Sequence, residues 1–482
     1  MSAAYLLAWL AAILPGIAVV LAISARGVRG RAAASTGQGI VLGLLATSAA
    51  TSIAARSDTG HAWQHAAGWL MALALAGAAI AVYRQRAAPA VTARPRQKVE
   101  YWKMAIVALA LASLVWRAWL LGSEVSMRPT YPWDAWDAWA VKSKTWFLIG
   151  HYAAFVAPVE WLRATAEVFS GPAWAYPSTL GWMQVFFASA AGGWIEPLVN
   201  LPWFALWIGL LLGHYGQWRA LGVAWPRAAI FAYALGSLPL LDSHVALAGY
   251  ADLWIATLFG FAVLAWLRWQ ERRERDQLLL ALICAAVLPA VKLEGMIWCI
   301  SLVAAIGFSA LPVRWRWRAA GVTLALAVLL VMIGQSQVMF AAIGWVRSGS
   351  RVIDIPVIGR LAITWHGDAA IGVARGLFTQ SNWHLLWWLL PPLLVWRWPV
   401  LRQSEALRLF GLLLLACFAL LLFLFVLTDA AEWAESYTAV NRLVMQLVPA
   451  VISLAVLLLR DSSRPARSGD TVPASVPQSD PA

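Results

Sequence analysis

The sequence predicts an all-α polytopic transmembrane helical bundle, and three observations predict it. Of the 482 residues, 62% are hydrophobic and only 12% are charged, whereas soluble domains carry roughly 25% charged residues. Apolar runs close to the ~20 residues that cross a bilayer recur from end to end. Lys and Arg residues cluster between these runs, as in the loops of membrane proteins. The pattern excludes a soluble enzyme, a secreted disulfide scaffold and a nucleic-acid-binding protein.

About 13 membrane-spanning helices follow from the apolar runs. The predicted spans lie near residues 3–23, 38–55, 66–83, 104–121, 197–213, 228–241, 250–267, 278–290, 296–311, 319–340, 384–396, 409–427 and 442–459. The three cysteines fall inside apolar runs, so they predict neither a disulfide nor a metal framework. Residues 461–482 are rich in Pro, Ser and Asp and are predicted to form a disordered cytoplasmic tail.

The basic residues indicate which loops are cytoplasmic, so the net charge of +13 mainly reports topology. If the N-terminus is outside and the apolar segment 176–192 does not cross, 24 of the 36 Lys and Arg residues lie on the inner side. If that segment crossed, the Arg-rich stretches 268–277 and 312–318 would face outward. We therefore expect 176–192 to lie along the outer interface or to dip into it. Two outer loops, 122–175 and 341–383, are then long, and long loops are usually either functional or disordered.

The first long outer loop contains an acidic and aromatic segment, 131–146. Asp134 and Asp137 are i, i+3 neighbours on a helix, and Lys144 returns to the face of Asp137. An adjoining stripe holds Trp133, Trp136 and Trp139. The segment is therefore predicted to be an amphipathic juxtamembrane helix. It is either an interfacial anchor with solvated charges, or it places a general base beside the bilayer, with Lys142 and Lys144 holding an anion.

Three further charged groups fall where apolar spans meet the outer side. Asp252 begins a span and either caps its helix or takes part in a site, and His244 lies in the loop just before it. Lys292 and Glu294 form either a self-satisfied ion pair or a functional pair, since charges near a bilayer are costly. Arg442 opens the last span, where it either snorkels or binds a phosphate.

The predicted topology brings these charges to one face of the membrane although they are far apart in sequence. The set consists of Asp134, Asp137, Lys142, Lys144, Asp252, Lys292, Glu294 and Arg442. Acids for proton transfer and bases for an anionic lipid headgroup, all facing outward, favour sugar transfer from a lipid-phosphate donor.

The same residues resemble the GT-C superfamily of polytopic glycosyltransferases, notably its bacterial dolichyl-phosphate-mannose mannosyltransferase-like branch, over roughly residues 100–460. Asp134, within Trp-Asp-Ala-Trp, stands where the family has its first acidic motif, although the Trp-Asp-Ala unit is doubled here. Four other stretches are similar to family motifs: Tyr176-Pro177, Gly249-Tyr250-Ala251-Asp252-Leu253, Lys292-Leu293-Glu294-Gly295, and Asn441-Arg442-Leu443 followed by Pro449.

The resemblance implies an inverting transfer from a polyprenyl-phosphate-sugar donor to a glycan, lipid or protein acceptor at the outer, periplasmic face of a bacterial inner membrane. Asp134 is the expected general base and Asp137 positions the acceptor or binds a metal, although which of the two is the base stays open. Mg²⁺ or Mn²⁺ is compatible with Asp134, Asp137 and Asp252, but nothing demands it. The expected substrate or phosphate ligands are Lys142, Lys144, Tyr176, Asp252, Lys292, Glu294, Arg442, Trp136, Trp139 and His244.

The resemblance also divides the chain. Residues 1–103 form an N-terminal extension of three transmembrane helices, and residues 104–460 form the catalytic module, with outer loops 122–196 and 341–383. Three alternatives stay open: a transporter or flippase, a polysaccharide polymerase or ligase, and a membrane scaffold without chemistry, which would leave the Asp134 loop unexplained. A transporter or flippase would place charges near the midplane, often in two related halves, and a polysaccharide polymerase or ligase would use a diphosphate donor.

Overall fold

A computed structural model describes residues 2–25, 27–56, 58–86, 100–316 and 359–460, with residue 318, residues 321–322 and three short strands between the last two ranges. Most of the predicted span 319–340, part of the outer loop 341–383 and the predicted tail 461–482 lie outside the described residues.

Helices account for most of the described chain. They are α1 (Ala3–Ile23), α2 (Arg31–Ala54), α3 (Ala62–Arg86), α4 (Tyr101–Met127), a π-helical turn (Ala135–Ala140), α5 (Val141–Ile149), α6 (Pro158–Trp161), α7 (Thr179–Ala191), α8 (Glu196–Ala220), α9 (Trp225–Gly236), α10 (Pro239–Ala246), α11 (Asp252–Arg272), α12 (Arg275–Val291), α13 (Gly295–Ala310), α14 (Gly367–Phe378), α15 (Leu386–Trp396), α16 (Trp398–Gln403), α17 (Glu405–Leu427), α18 (Ala431–Glu435), α19 (Val440–Met445) and α20 (Val448–Leu458). Proline occupies the first turn of α8, α9, α10 and α20, where its missing N–H costs no hydrogen bond.

The predicted class, a helical membrane protein, is confirmed, but the predicted number of spans is not. Among the described helices, seven are long and apolar enough to cross a membrane, and an eighth span forms if α9 and α10, which meet at 61°, are counted together. The predicted spans in α13, α15 and α20 coincide with apolar helices of 16, 11 and 11 residues. Helices of that length reach less than the ~30 Å of a hydrocarbon core. The count of 13 therefore remains a prediction.

Two small sheets interrupt the helices, and the all-α prediction did not include them. The first outer loop holds a parallel pair of two-residue strands, β1 (Ala154–Phe155) and β2 (Val168–Phe169). An antiparallel sheet in the order β3-β4-β5-β6 begins at the end of the predicted span 319–340 and continues into the second outer loop. Its strands are β3 (Met339–Phe340), β4 (Trp345–Val346), β5 (Val352–Ile355) and β6 (Gly359–Ala362). Such short strands are too small to dominate the apolar patterning on which the prediction was based.

Helix α2 packs between α1 and α8 through glycines. A Cβ atom on Gly37 would lie 2.1 Å from the backbone nitrogen of Gly213 in α8, and one on Gly16 in α1 would lie 2.0 Å from the carbonyl oxygen of Gly39. Backbones that approach this closely gain van der Waals contact that larger side chains would prevent. Helix α2 is therefore joined closely to both α1 and α8.

Helix α11 is the buried axis of the bundle and defines its two ends. Its 21 residues span about 30 Å, and Asp252 stands at its first position. The opposite end carries ion pairs between Arg268 and Glu274 and between Arg460 and Glu271. We call the end of the bundle that contains Asp252 the site end.

Helix α7, within the ambiguous segment 176–192, does not cross the bundle. Thr179 Oγ1 donates to Ala290 O at the end of α12 (2.5 Å), and Ser189 Oγ donates to Gly60 O (2.5 Å). Gly60 follows Thr59, whose Oγ1 donates to Trp146 O of α5, so both ends of α7 contact the site end. Nearly all its side chains are buried, unlike those of the amphipathic helices expected in this loop.

Candidate functional site

The acidic segment after α4 forms a π-helical turn rather than the α-helix that the spacing predicts. Within it, the N–H of Val141 donates to the carbonyl of Trp136, five residues earlier. Asp134 immediately precedes the turn and Asp137 lies within it. Turns of this kind are rare and occur frequently at functional sites.

Gly249 allows the loop before α11 to approach this turn. Its φ of 120° lies in a region that other residues rarely adopt. A Cβ atom there would lie 2.4 Å from the Cβ of Ala135. The close contact sets the start of α11, and with it Asp252, beside Asp134.

Asp252 is fully buried and accepts four hydrogen bonds. Lys292 Nζ and Gln446 Nε2 donate to its Oδ1 at 2.8 and 2.7 Å. Arg442 donates to its Oδ2 from Nε at 3.0 Å and from Nη2 at 2.8 Å. A buried carboxylate is tolerated only when it is paired in this way, so Asp252 organises the two cations around it.

The two cations connect Asp252 to further acids. Arg442 Nη1 donates to Asp134 Oδ2, and Lys292 Nζ lies 3.0 Å from Glu294 Oε1. Burial lowers the pKa of Lys292, but the carboxylates of Asp252 and Glu294 outweigh burial and hold it above its usual value. We call the resulting series of alternating charges the charge chain: Asp134, Arg442, Asp252, Lys292 and Glu294.

The charge chain borders a cavity of about 370 Å³ at the site end, which we call the charged cavity. Three acids and two basic groups line it: Asp134, Asp137, Glu294, Lys292 and Arg442. Aromatic rings complete the wall, from Trp133, Trp139, Tyr176 and Trp433. Asp137 makes no hydrogen bond or ion pair with any described residue, so its carboxylate is free to meet a ligand. Burial raises the pKa of Tyr176 to about 12, so its phenol stays neutral.

Most of the site residues predicted from the sequence therefore meet. Asp134, Asp137, Trp139, Tyr176, Lys292, Glu294 and Arg442 line the charged cavity, and Asp252 lies directly behind Lys292 and Arg442.

Besides Asp252, four predicted ligands do not line this cavity. Lys142 is buried and donates to the carbonyls of Trp174 (2.9 Å) and Tyr176 (2.6 Å), where burial lowers its pKa to about 8. It supports the loop that carries Tyr176 rather than lining the cavity. Lys144 pairs with Glu196 at 3.2 Å.

The other two are Trp136 and His244. Trp136 packs against Trp133, with ring centroids 5.0 Å apart. It is 43% exposed, whereas Trp139 is buried, so the predicted tryptophan stripe does not share one face. His244 lies in α10 rather than in the predicted loop. It is buried against Tyr250, and its Nδ1 is hydrogen-bonded to Leu240 O.

Sequence reasoning missed several contributors. Gln446 holds Asp252 and accepts a hydrogen bond from Trp298 Nε1 at 2.5 Å. The ring of Tyr250 lies 4.3 Å from the guanidinium carbon of Arg442, a cation–π contact. Gln446 was detectable, because it follows Arg442 by one helical turn as a polar residue in an apolar run. Trp433 carried no comparable signal.

The described residues contain no group of three or more His, Cys, Asp or Glu side chains placed to hold a metal ion. Asp252, one of three predicted metal ligands, has both oxygens engaged by Lys292, Arg442 and Gln446. It does not fit that role. Asp134 and Asp137 are the remaining two.

In comparisons with known proteins, no family model matches the chain, and neither a curated protein nor a solved structure does. The chemistry of the charged cavity therefore has to follow from its own residues.

Proposed function

We propose that the protein is an inverting membrane glycosyltransferase that moves a sugar from a polyprenyl-phosphate donor to an acceptor at the outer, periplasmic face of a bacterial inner membrane. The observation that carries the proposal is the charged cavity, in which two cations, an unpaired carboxylate and aromatic rings lie together at one end of the bundle. The resemblance to GT-C glycosyltransferases is a second support.

Arg442 and Lys292 are the phosphate ligands in this proposal. Asp252 orients the guanidinium through Nε and Nη2, which leaves Nη1 directed at Asp134 and the cavity. A guanidinium N–H donates a charge-assisted hydrogen bond to a phosphate oxygen, so Nη1 is the nitrogen that meets the donor phosphate. Lys142 and Lys144 have other partners and no longer carry this role.

The donor phosphate has to replace Asp134 on Arg442 rather than add to the cavity. Three carboxylates and two cations already line the cavity, so an added anion would be repelled. Once the phosphate occupies Nη1, the Asp134 carboxylate loses its partner and is free to accept a proton. Donor binding would therefore prepare the general base.

The reaction then follows a single displacement. The acceptor hydroxyl oxygen attacks the anomeric carbon while the bond from that carbon to the phosphate oxygen breaks. Asp134 accepts the hydroxyl proton, and polyprenyl phosphate leaves with its charge stabilised by Arg442 and Lys292. Asp137, whose side chain has no partner among the described residues, orients the acceptor.

The test is transfer from labelled polyprenyl-phosphate sugars in membranes that contain the protein. We expect Asp134→Asn and Arg442→Ala to abolish transfer and Asp137→Asn to weaken it. Arg442→Lys should be partly active, because a positive charge remains at position 442. Lys144→Met is the matched control, since Lys144 is a basic residue of the same loop that lies outside the cavity. Full turnover by all three site variants would refute the mechanism.

The same assay separates the alternatives. Transfer from diphosphate donors alone would indicate a polymerase or ligase. Movement of the intact lipid-linked sugar across the membrane without transfer would indicate a flippase.

A further inference from the structure

A second cavity, of about 550 Å³, lies between the N-terminal helices and α12. Side chains of α1, α2, α3, α7 and α12 line it, and none of these described residues is charged. The cavity lies between α1–α3, which the sequence predicts to be an N-terminal extension of the catalytic module, and the part of the bundle that carries the site. We call it the apolar groove.

The groove runs along the bundle rather than across it. On α12 it is lined by Leu280, Ile283, Val287 and Ala290, one face of the helix. The rise from residue 280 to residue 290 is about 15 Å, or half the thickness of a hydrocarbon core.

The two ends of the groove differ. At the end away from the site it reaches Ile23, whose carbonyl accepts a hydrogen bond from Arg84 Nη1 (3.2 Å). The nearby Ala25 N donates to Asp276 Oδ2, so charged groups lie around this end. At the site end the groove reaches Thr179 and Ala290.

The groove and the charged cavity meet at one hydrogen bond. Thr179 and Ala290, which line the groove, are joined by the Thr179 Oγ1 to Ala290 O bond. Tyr176, three residues before Thr179, and Lys292, two residues after Ala290, line the charged cavity. A molecule with a phosphate at Lys292 could thus extend an apolar chain past this contact into the groove.

We infer that the apolar groove holds the isoprenoid tail of the lipid-phosphate donor. This inference rests on the proposed function and adds a binding site built largely from the N-terminal helices. The groove ends close to Lys292, a phosphate ligand in the proposed function, and this position favours the donor over a bulk phospholipid. A bulk phospholipid would not require a phosphate ligand at the end of its groove. The groove is apolar along its length, as an isoprenoid requires, and polar only at Ser and Thr residues.

The experiment fills the groove without touching the charged cavity. Ile283→Trp places a large ring in the groove, and Leu282→Trp places the same ring on the neighbouring position of α12. Leu282 does not line the groove and matches Ile283 in exposure, at 40% against 36%. Transfer is measured with a long-chain donor and with a donor whose tail is cut to two isoprene units.

We expect Ile283→Trp to raise the KM for the long-chain donor at least about tenfold, the equivalent of losing about two buried CH₂ groups. Its KM for the short donor should be unchanged, and Leu282→Trp should match wild type with both donors. Equal effects of the two variants, or an equal effect on both donors, would overturn the inference. If wild type uses neither donor, the proposed function fails instead.

A binding measurement on the wild-type protein tests the inference even if the Trp variants do not fold. Wild-type protein is photolabelled with a diazirine-bearing polyprenyl phosphate, and the labelled peptides are mapped by mass spectrometry. Label in α2 and α12 that unlabelled polyprenyl phosphate removes, and phosphatidylglycerol does not, supports the inference. Equal competition by phosphatidylglycerol would identify a site for bulk lipid and overturn it.

Discussion

Replacing Asp252 with Asn removes the negative charge at the centre of the charge chain while keeping the size of the side chain. The amide oxygen can still accept two hydrogen bonds. The amide nitrogen, itself a donor, would face two other donors. These are Lys292 Nζ and Gln446 Nε2 if it replaces Oδ1, or Nε and Nη2 of Arg442 if it replaces Oδ2. The cations would then stay buried without their shared partner.

The expected loss of stability is about 3–5 kcal/mol. Two hydrogen bonds that involve charged groups are worth about 1.5–3 kcal/mol each. Removing one member of a buried ion pair costs about 3–5 kcal/mol, because the remaining charge is uncompensated. The estimate from hydrogen bonds and the estimate from the ion pair agree. The loss is a large part of the roughly 5–15 kcal/mol by which a folded domain is usually more stable than its unfolded state.

The assay is unfolding of the purified protein in detergent, with Asp137→Asn as the matched control. Asp137 has no partner among the described residues, so its variant should unfold as wild type does. Adding Lys292→Met to Asp252→Asn removes the stranded cation, and the double variant should lose less stability than the two single losses added together. If Asp252→Asn unfolds like Asp137→Asn, or if the losses simply add, Asp252 does not hold the two cations.

Three further predictions concern the surroundings of the charge chain. Gly249→Ala should lower both stability and transfer, because the new Cβ would meet Ala135 in a backbone conformation that alanine rarely adopts; an unchanged melting temperature would contradict this contact. Burial lowers the pKa of Lys142 from 10.5 to about 8, so between these values only the unfolded chain binds the proton, and wild type should gain stability relative to Lys142→Met as the pH rises from 8 to 10.5. A constant gap in melting temperature over that range would argue against it. Trp133→Ala should weaken transfer more than Trp136→Ala, because only Trp133 lines the charged cavity; equal kinetics would show that neither ring meets the substrate.

The sequence predicts much of the charge chain because its members lie at the ends of apolar runs. A charge beside a span must lie at one face of the membrane, and the distribution of Lys and Arg residues indicates which face. Asp134, Asp252, Lys292 and Arg442 could therefore be grouped from topology alone. Which of them touch depends on tertiary packing, such as the approach that Gly249 allows, and no spacing rule reports that.

The details of the acidic segment could not be predicted from an α-helical period. The π-helical turn changes the angle between successive side chains. Trp139 is buried and lines the charged cavity, whereas Trp136 is exposed and does not line it. Lys142 and Lys144 are chemically alike, and only the fold gives one of them two backbone carbonyls and the other a glutamate. Their positive charge alone therefore led to the prediction that both bind phosphate, a role that their contacts do not support.

The glycine contacts of α2 bear on how the chain assembles during synthesis. Its mean hydropathy is only 1.3, and its buried positions include Ser35, Gln38 and Thr47. Its partner α8 is synthesised only after α3–α7. Until then the side of α2 that carries Gly37 lacks its partner and faces lipid or the insertion machinery. A chain truncated before α8 would therefore expose a weakly hydrophobic helix in the membrane, a natural target for membrane quality control.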